Sequence, residues 1–174
     1  MTEWSVQRLD PAELRAHGAE FRDIYLQVYQ EPPYHESESD ADDFIGHLDD
    51  QIDQPGFAFI AALSAAGEFI GFAYGLPFSA EQWWRNAGDE PDLTRGQAKF
   101  AVFELVVVAQ WRRHGIATAL ITALLESRQE PFATLCANPT APARAMYDAW
   151  GWRKVATTSP PKIGPLDVLV KALT

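Results

Sequence analysis

The sequence predicts one mixed α/β domain of the α+β kind, a sheet flanked by helices on both faces. Three observations carry that expectation. Helical and β-prone stretches alternate along the chain, the second half runs strand, helix, strand, helix, and 174 residues with 47% hydrophobic side chains suffice for one core but hardly for two. Over residues 11–29, Leu14, Phe21, Ile24, Tyr25 and Val28 fall near helical spacing. Asp10 as N-cap and Pro11 at the first helical position predict one continuous helix. The run Glu31-Pro32-Pro33-Tyr34 stops it. Phe44, Ile45, Leu48 and Ile52 predict a second amphipathic helix whose other face is acidic. Residues 57–63 and 69–74 read as a β-hairpin around the turn Ser64-Ala65-Ala66-Gly67-Glu68.

The segment 77–97 has no clean period and is expected to be a functional loop or a partly helical excursion. Residues 100–108 are the most β-prone run, with Glu104 their one ionisable side chain. The best-patterned helix spans 115–128, with Ile116, Leu120 and Leu124 on one face and Arg128 in its last turn. A strand at 132–137, a helix at 142–150, a turn at Gly151 and strands at 154–158 and 167–173 complete the order. No repeat, low-complexity tract or linker interrupts it, so residues 1–174 are expected to form a single domain.

The net charge is −10, and it is unevenly spread: residues 1–100 hold 6 basic and 19 acidic side chains, residues 101–174 hold 8 and 5. So acidic a chain repels phosphates, which disfavours nucleic acid as a partner. The acids Glu31, Glu36, Glu38, Asp40, Asp42, Asp43, Asp49, Asp50 and Asp53 stand in one stretch without Lys or Arg. Such a stretch either attracts a cationic substrate or only keeps the surface solvated. The single cysteine, Cys136, forms no intrachain disulfide and points to a reducing compartment. The opening Met1-Thr2-Glu3-Trp4 does not read as a secretory signal, and the longest apolar stretch, 116–125, falls short of the roughly 20 residues a membrane helix needs. A cytoplasmic protein with no membrane association is expected.

The segment Glu104-Leu105-Val106-Val107-Val108-Ala109-Gln110-Trp111-Arg112-Arg113-His114-Gly115-Ile116-Ala117 runs from a strand through a basic turn directly into a helix. The first N–H groups of a helix lack internal acceptors and sit at the positive end of its dipole, so they bind anions. The small Gly115 and Ala117 let a diphosphate approach the main chain, and Arg112 and Arg113 add positive charge. Neither a P-loop nor a Gly-x-Gly-x-x-Gly dinucleotide turn is present.

The turn Arg112-Arg113-His114-Gly115-Ile116-Ala117 resembles the Arg/Gln-x-x-Gly-x-Gly/Ala hallmark of the GNAT superfamily of N-acetyltransferases. The stretch from Asn138 through Met146-Tyr147-Asp148-Ala149-Trp150-Gly151-Trp152 is similar to a second feature of that family, and the element order fits over nearly the whole chain. Two departures stand out: the family turn usually has Gly where Arg113 stands, and Asn138 precedes Tyr147 by more residues than is usual. The resemblance implies a mostly antiparallel sheet of six to seven strands, splayed between strands 4 and 5. It also implies acetyl-CoA as co-substrate, and it allows a homodimer.

By the same resemblance, Val106, Val107 and Val108 would pair with the pantetheine arm, their backbone positioning the thioester and stabilising the oxyanion. Main-chain groups of Arg113, His114, Gly115, Ile116, Ala117 and Thr118 would hold the diphosphate, with Arg112, Asn138 and Arg144 as further cofactor contacts. Glu104 is the candidate general base, directly or through water, set against a purely structural charge. Tyr147 is the candidate acid toward the departing thiolate, set against a core aromatic. Cys136 reads as an inert core thiol, and His35 and His47 make no recognisable metal site. Trp83 and Trp84 read as packing, with an acceptor-pocket wall as the alternative.

The expected function is acetyl transfer to a primary amine of a small cationic molecule, by direct attack in a ternary complex. The alternatives are acetylation of a protein N-terminus or lysine, and a non-catalytic acyl-CoA sensor.

Overall fold

The computed structural model describes residues 3–173. In chain order it contains β1 (Trp4–Arg8), α1 (Pro11–Ala16), α2 (Gly18–Tyr29), α3 (Glu38–Gln51), β2 (Ala58–Ser64), β3 (Phe69–Phe78) and β4 (Lys99–Val107). A 3-10 turn at Ala109–Trp111 follows, then α4 (Ile116–Leu125), β5 (Phe132–Ala137), α5 (Arg144–Ala149), β6 (Arg153–Thr158) and β7 (Leu166–Ala172). The strands hydrogen-bond in the order β1-β2-β3-β4-β5-β7-β6. The pairs β1–β2, β2–β3, β5–β7 and β6–β7 are antiparallel, whereas β4–β5 is parallel. This is the mixed, mostly antiparallel architecture that the sequence predicts, flanked by helices. The β4–β5 register covers Lys99–Ala101 against Phe132–Thr134, only the first three residues of β4.

The chain divides into two compact units, residues 1–76 with 104–126, and residues 77–103 with 127–174. In the first, α2 packs on α3, and α4 packs on β1 and β2. Its core is aromatic: Phe21 lies within 4.8 Å of Phe59 and 5.5 Å of Phe72 by ring centroids, and Phe44 stacks on Tyr25 at 4.2 Å. Burying rings of this size is the largest apolar contribution available to a small core. In the second unit Phe100, Leu169, Val168 and Val170 are fully buried.

Three features differ from the sequence reading. The first strand, β1, was not anticipated, because five residues with a half-exposed alternation carry too little apolar signal; its register on β2, from Trp4↔Ser64 to Arg8↔Ile60, supplies what the sequence lacks. The opening residues Met1 and Thr2 lie outside the described residues. The helix expected over 11–29 is two helices. Asp10 does cap α1, with Glu13 completing a capping box, but the chain leaves helical geometry at His17 and restarts at Gly18. That bend lets both Leu14 and Phe21 reach the core. Third, α4 ends at Leu125, where Glu126 turns extended (ψ 133°) and Ser127 follows in a left-handed conformation (φ 61°). Arg128 therefore lies beyond the last turn, paired with Glu130 at 2.7 Å and lying 4.1 Å from the centroid of the Phe100 ring. Residues 79–97 form the loop that is one of the two readings of that segment, with no helix and with turns closed by bonds such as that from the Thr94 N–H to the Pro91 carbonyl oxygen at 3.1 Å.

Gly71 shows how tightly β3 meets β4. A Cβ there would stand 2.6 Å from the Val106 carbonyl oxygen, a main-chain atom that cannot swing aside. Gly71→Ala is expected to cost about 1–3 kcal/mol through forced strand separation. A thermal melt checks this, and an unchanged midpoint would show that the strands yield freely.

Candidate active site

Glu104 lies on β4 where the buried alternation of the strand gives way to half-exposed positions. The residue keeps some exposure, but its carboxyl is enclosed by phenols. Tyr29, at the end of α2, donates its hydroxyl proton to Glu104 Oε2. Tyr25, one turn earlier on α2, lies tilted against Tyr29 at 4.5 Å, and Tyr34 meets Tyr29 edge-on at 4.8 Å. The negative charge of Glu104 also acts on Tyr25, Tyr34 and Tyr74, raising each hydroxyl above its ordinary value in addition to the effect of burial.

Desolvation pushes the Glu104 carboxyl up to about 8; the Tyr29 hydrogen bond opposes this and the charge of Glu36 adds to it. A carboxyl raised to near neutrality can exchange a proton within the working pH range. Burial likewise raises Glu36, reinforced by Asp40 and opposed by a hydrogen bond from Tyr25.

One residue beyond Glu104, past Leu105, come Val106, Val107 and Val108, all buried. The Val107 carbonyl accepts Arg112 Nε at 3.0 Å, and the Val108 N–H donates to the Ile70 carbonyl at 3.0 Å. Two residues of the basic turn have positive φ, Arg113 at 64° and Gly115 at 82°. This explains why glycine suits the position that Arg113 fills. His114 Nδ1 lies 2.9 Å from the Arg112 carbonyl oxygen and 3.1 Å from that of Trp111, bracing the turn. Gly115 is the N-cap of α4 and offers no side chain to its first N–H groups. Those of Ile116, Ala117 and Thr118 therefore form an uncapped positive helix end. Arg112 itself is turned away into an ion pair with Glu31 at 2.9 Å.

Glu104, Val106, Val107, Val108 and the turn from Arg112 to Thr118 thus share one unit, while Asn138, Arg144 and Tyr147 lie in the other. Asn138 Oδ1 accepts from the Thr140 N–H at 2.9 Å and the Thr140 hydroxyl at 2.8 Å, fixing the turn before α5. Arg144 is held by Asp148 at 2.7 Å and Asp167 at 2.9 Å. Tyr147 is buried edge-on against Trp150 and Trp152, at 5.9 and 6.0 Å. Trp84 donates Nε1–H to Thr134 Oγ1 at 2.9 Å and packs on Phe78 and Phe103, the structural role weighed for it. Burial pushes the Cys136 thiol up to about 12, which makes it a poor nucleophile. Among the described residues, no group of three or more His, Cys, Asp or Glu is placed to hold a metal ion, and no helix is long and apolar enough to cross a membrane.

Sequence reasoning missed the tyrosine wall and the part of Glu36 in it. Tyr25 falls in the apolar helical pattern with Phe21 and so reads as core, and Tyr29, four residues on, carries no signal of its own.

Comparison with known proteins agrees with this fold. A GNAT-family chain from Desulfovibrio desulfuricans has the same fold at a TM-score of 0.69 and 13% identity, over 99% of this chain and 100% of its own. NAA60 of Arabidopsis thaliana, solved with acetyl-CoA, gives 0.66 at 17% identity over 98% of each chain. The PaiA N-acetyltransferase of Thermoplasma acidophilum, solved with coenzyme A, gives 0.64 at 12% identity over 98% of this chain and 99% of its own. No curated protein matches the chain in sequence. The acetyltransferase (GNAT) family model matches residues 19–152, most of the chain, and with the strand, basic turn and helix described above the conclusion is plain: the chain belongs to the GNAT family of acetyltransferases.

Proposed function

We propose that residues 1–174 act as a single N-acetyltransferase domain that transfers the acetyl group of acetyl-CoA to a primary amine of a small cationic molecule, by direct attack in a ternary complex. The observation that carries this reading is the Glu104 carboxyl, raised to about 8 among tyrosines on the strand that leads into the basic turn. Two structurally similar chains were solved with coenzyme A or acetyl-CoA. The local structure suits such a donor. The N-terminus of α4 has no side-chain cap, so its first main-chain N–H groups are left to an anion.

Main-chain N–H groups from Arg113 to Thr118 would hold the diphosphate. The backbone of Val106, Val107 and Val108 would align the pantetheine arm. When bound, acetyl-CoA supplies the activated acyl thioester. The acceptor arrives largely as an ammonium, since such amines have a pKa of about 10.4, and must lose a proton before its lone pair can attack. Glu104 takes that proton at Oε1 or Oε2, directly or through one water, with Tyr29 orienting the carboxyl. Tyr147 is assigned the delivery of a proton to the departing thiolate sulfur.

The test is a CoA-release assay with acetyl-CoA against polyamines, aminoglycosides, amino acids and peptides, beside calorimetric titration of acetyl-CoA. Release that requires a small cationic amine is expected. Release with peptides alone would replace the small acceptor by a protein N-terminus or lysine, and binding without any release would leave an acyl-CoA sensor.

A further inference from the structure

Tyr29, whose hydroxyl meets Glu104, is the last residue of α2, and the last carbonyls of a helix have no partner within it. The turn that follows supplies those partners. The Glu31 N–H donates to the Val28 carbonyl at 3.3 Å and the Glu36 N–H to the Tyr29 carbonyl at 2.8 Å. Within the turn the Glu31 carbonyl accepts from the Tyr34 N–H at 3.0 Å and the His35 N–H at 3.3 Å. Residues 29–36 are therefore bonded into one piece, with Glu31 at its centre.

The side chain of Glu31 ties this piece to the strand that carries the candidate base. Its Oε2 accepts from Arg112 Nη2 at 2.9 Å, and Arg112 Nε donates to the Val107 carbonyl at 3.0 Å, at the end of β4 and three residues beyond Glu104. Arg112, expected as a cofactor contact, thus spans from the end of α2 to the end of β4. A half-exposed ion pair by itself contributes little. Here it closes a ring, with Glu31 and Arg112 on one side, the Tyr29 hydroxyl on Glu104 Oε2 on the other, and the turn and β4 joining them. Two ties hold a phenol against a carboxylate better than one, and they leave Oε1 as the oxygen that takes a proton.

We propose that Glu31 is a positioning residue for acetyl transfer: through Arg112 it holds the Tyr29 hydroxyl on Glu104 Oε2 and so sets the proton affinity of the base. This deepens the reading of the chain as an amine acetyltransferase and rests on it for the role of Glu104. Glu31 itself touches no reacting atom. The sign of the effect separates this role from a simple charge effect. A hydrogen bond to the ionised carboxylate favours that form, so loosening the Tyr29 bond moves the Glu104 titration above about 8, whereas deleting a nearby negative charge would move it down. Tyr25 on α2, Tyr34 and Glu36 in the turn and Tyr74 on β3 also interact with Glu104, and Arg112 acts on Tyr34; the variants below leave all of them in place.

NMR of the Glu104 carboxyl carbon, assigned by its loss in Glu104→Gln, follows this titration without any turnover. Tyr29→Phe is expected to raise the midpoint by about one pH unit. Glu31→Ala should raise it by part of that, and the two together by no more than Tyr29→Phe alone, because Glu31 acts through the phenol. Glu31→Gln keeps an oxygen for Arg112 and should lie nearer the parent. Asp43→Asn, an exposed acid on α3, removes the same charge and should leave the midpoint in place. With acetyl-CoA and an amine, the limb of the rate profile set by Glu104 should move with the midpoint, while acetyl-CoA binds as in the parent. A midpoint that stays in place or falls in Glu31→Ala overturns the assignment, whether the variant melts lower or binds acetyl-CoA more tightly through a freed Arg112. A double variant whose shift is the sum of the two also overturns it. If the midpoint moves as expected but no amine releases CoA, the positioning stands and the catalytic reading fails.

Discussion

Replacing Glu104 by glutamine is expected to lower kcat about 100-fold at pH 7.5 and to remove the rise in rate centred near pH 8, while the Kd for acetyl-CoA stays within twofold. The size follows from the usual worth of a positioned base, about 10²–10⁴, taken at its lower end because water can relay the proton. The sign follows from the raised carboxyl. At pH 7 most Glu104 is protonated and cannot accept a proton; ionisation grows through about 8, so activity climbs with pH across that point. An amine acceptor contributes its own rise toward about 10.4, and Glu104→Gln should keep that limb and lose only the lower one.

The same group makes an independent statement about stability. Its folded pKa lies above the ordinary carboxyl value, so the folded state binds the proton more tightly than the unfolded state does. No cost arises below about pH 4, it grows between there and about 8, and it is full above 8. Glu104→Gln is therefore expected to melt higher than the parent at pH 9, by on the order of 2 kcal/mol after allowance for the solvent access the carboxyl retains, and to match it at pH 4. Loss of activity with a gain in stability is the signature of a residue kept for function. Full kcat in Glu104→Gln with an unaltered pH profile would reduce Glu104 to a structural charge.

Much of this site can be read from sequence because it is continuous in sequence. Strand, basic turn and helix follow one another from Glu104 to Thr118, and each obeys a local rule: β-prone residues, a left-handed glycine, an apolar helical stripe. The tyrosine wall could not be read, since it forms only when α2 and the residues after it pack beside β4. Helical periodicity assigns Tyr25 to the core and says nothing of Tyr29, whose hydroxyl donates to the Glu104 carboxylate. The acidic stretch was misleading for a related reason. Its neutralising arginines, Arg15, Arg22 and Arg112, come from elsewhere in the chain, and only the fold shows which acids they pair. The strand β1 was invisible because an edge strand draws its stability from its neighbour's backbone rather than from its own side chains.

A second large effect is expected at the opposite end of β4. Lys99, its first residue, is fully buried, and its ammonium pairs with Glu90, whose side chain is 10% exposed. Its other neighbours are the Ala80 carbonyl oxygen at 3.5 Å and the Trp83 ring at 5.9 Å. Lys99→Met keeps most of the volume but strands a carboxylate out of water, and breaking one side of a buried pair costs about 3–5 kcal/mol. For a chain of this size that lowers the melting midpoint by roughly 10 °C.

Replacing both partners, Lys99→Met with Glu90→Leu, should recover most of the loss, because neither charge then has to be desolvated. The comparison matters for more than stability. Glu90 stands in the irregular segment 77–97, which has no helix or ladder of its own and is tied down by this pair together with the Trp84 bond to Thr134 and the Thr158 hydroxyl bond to the Arg85 carbonyl. Lys99→Met should thus expose 77–97 to limited proteolysis well below the melting temperature, whereas the double variant should not. A single variant that melts within 2 °C of the parent and resists cleavage would show that the aromatic contacts alone secure the segment.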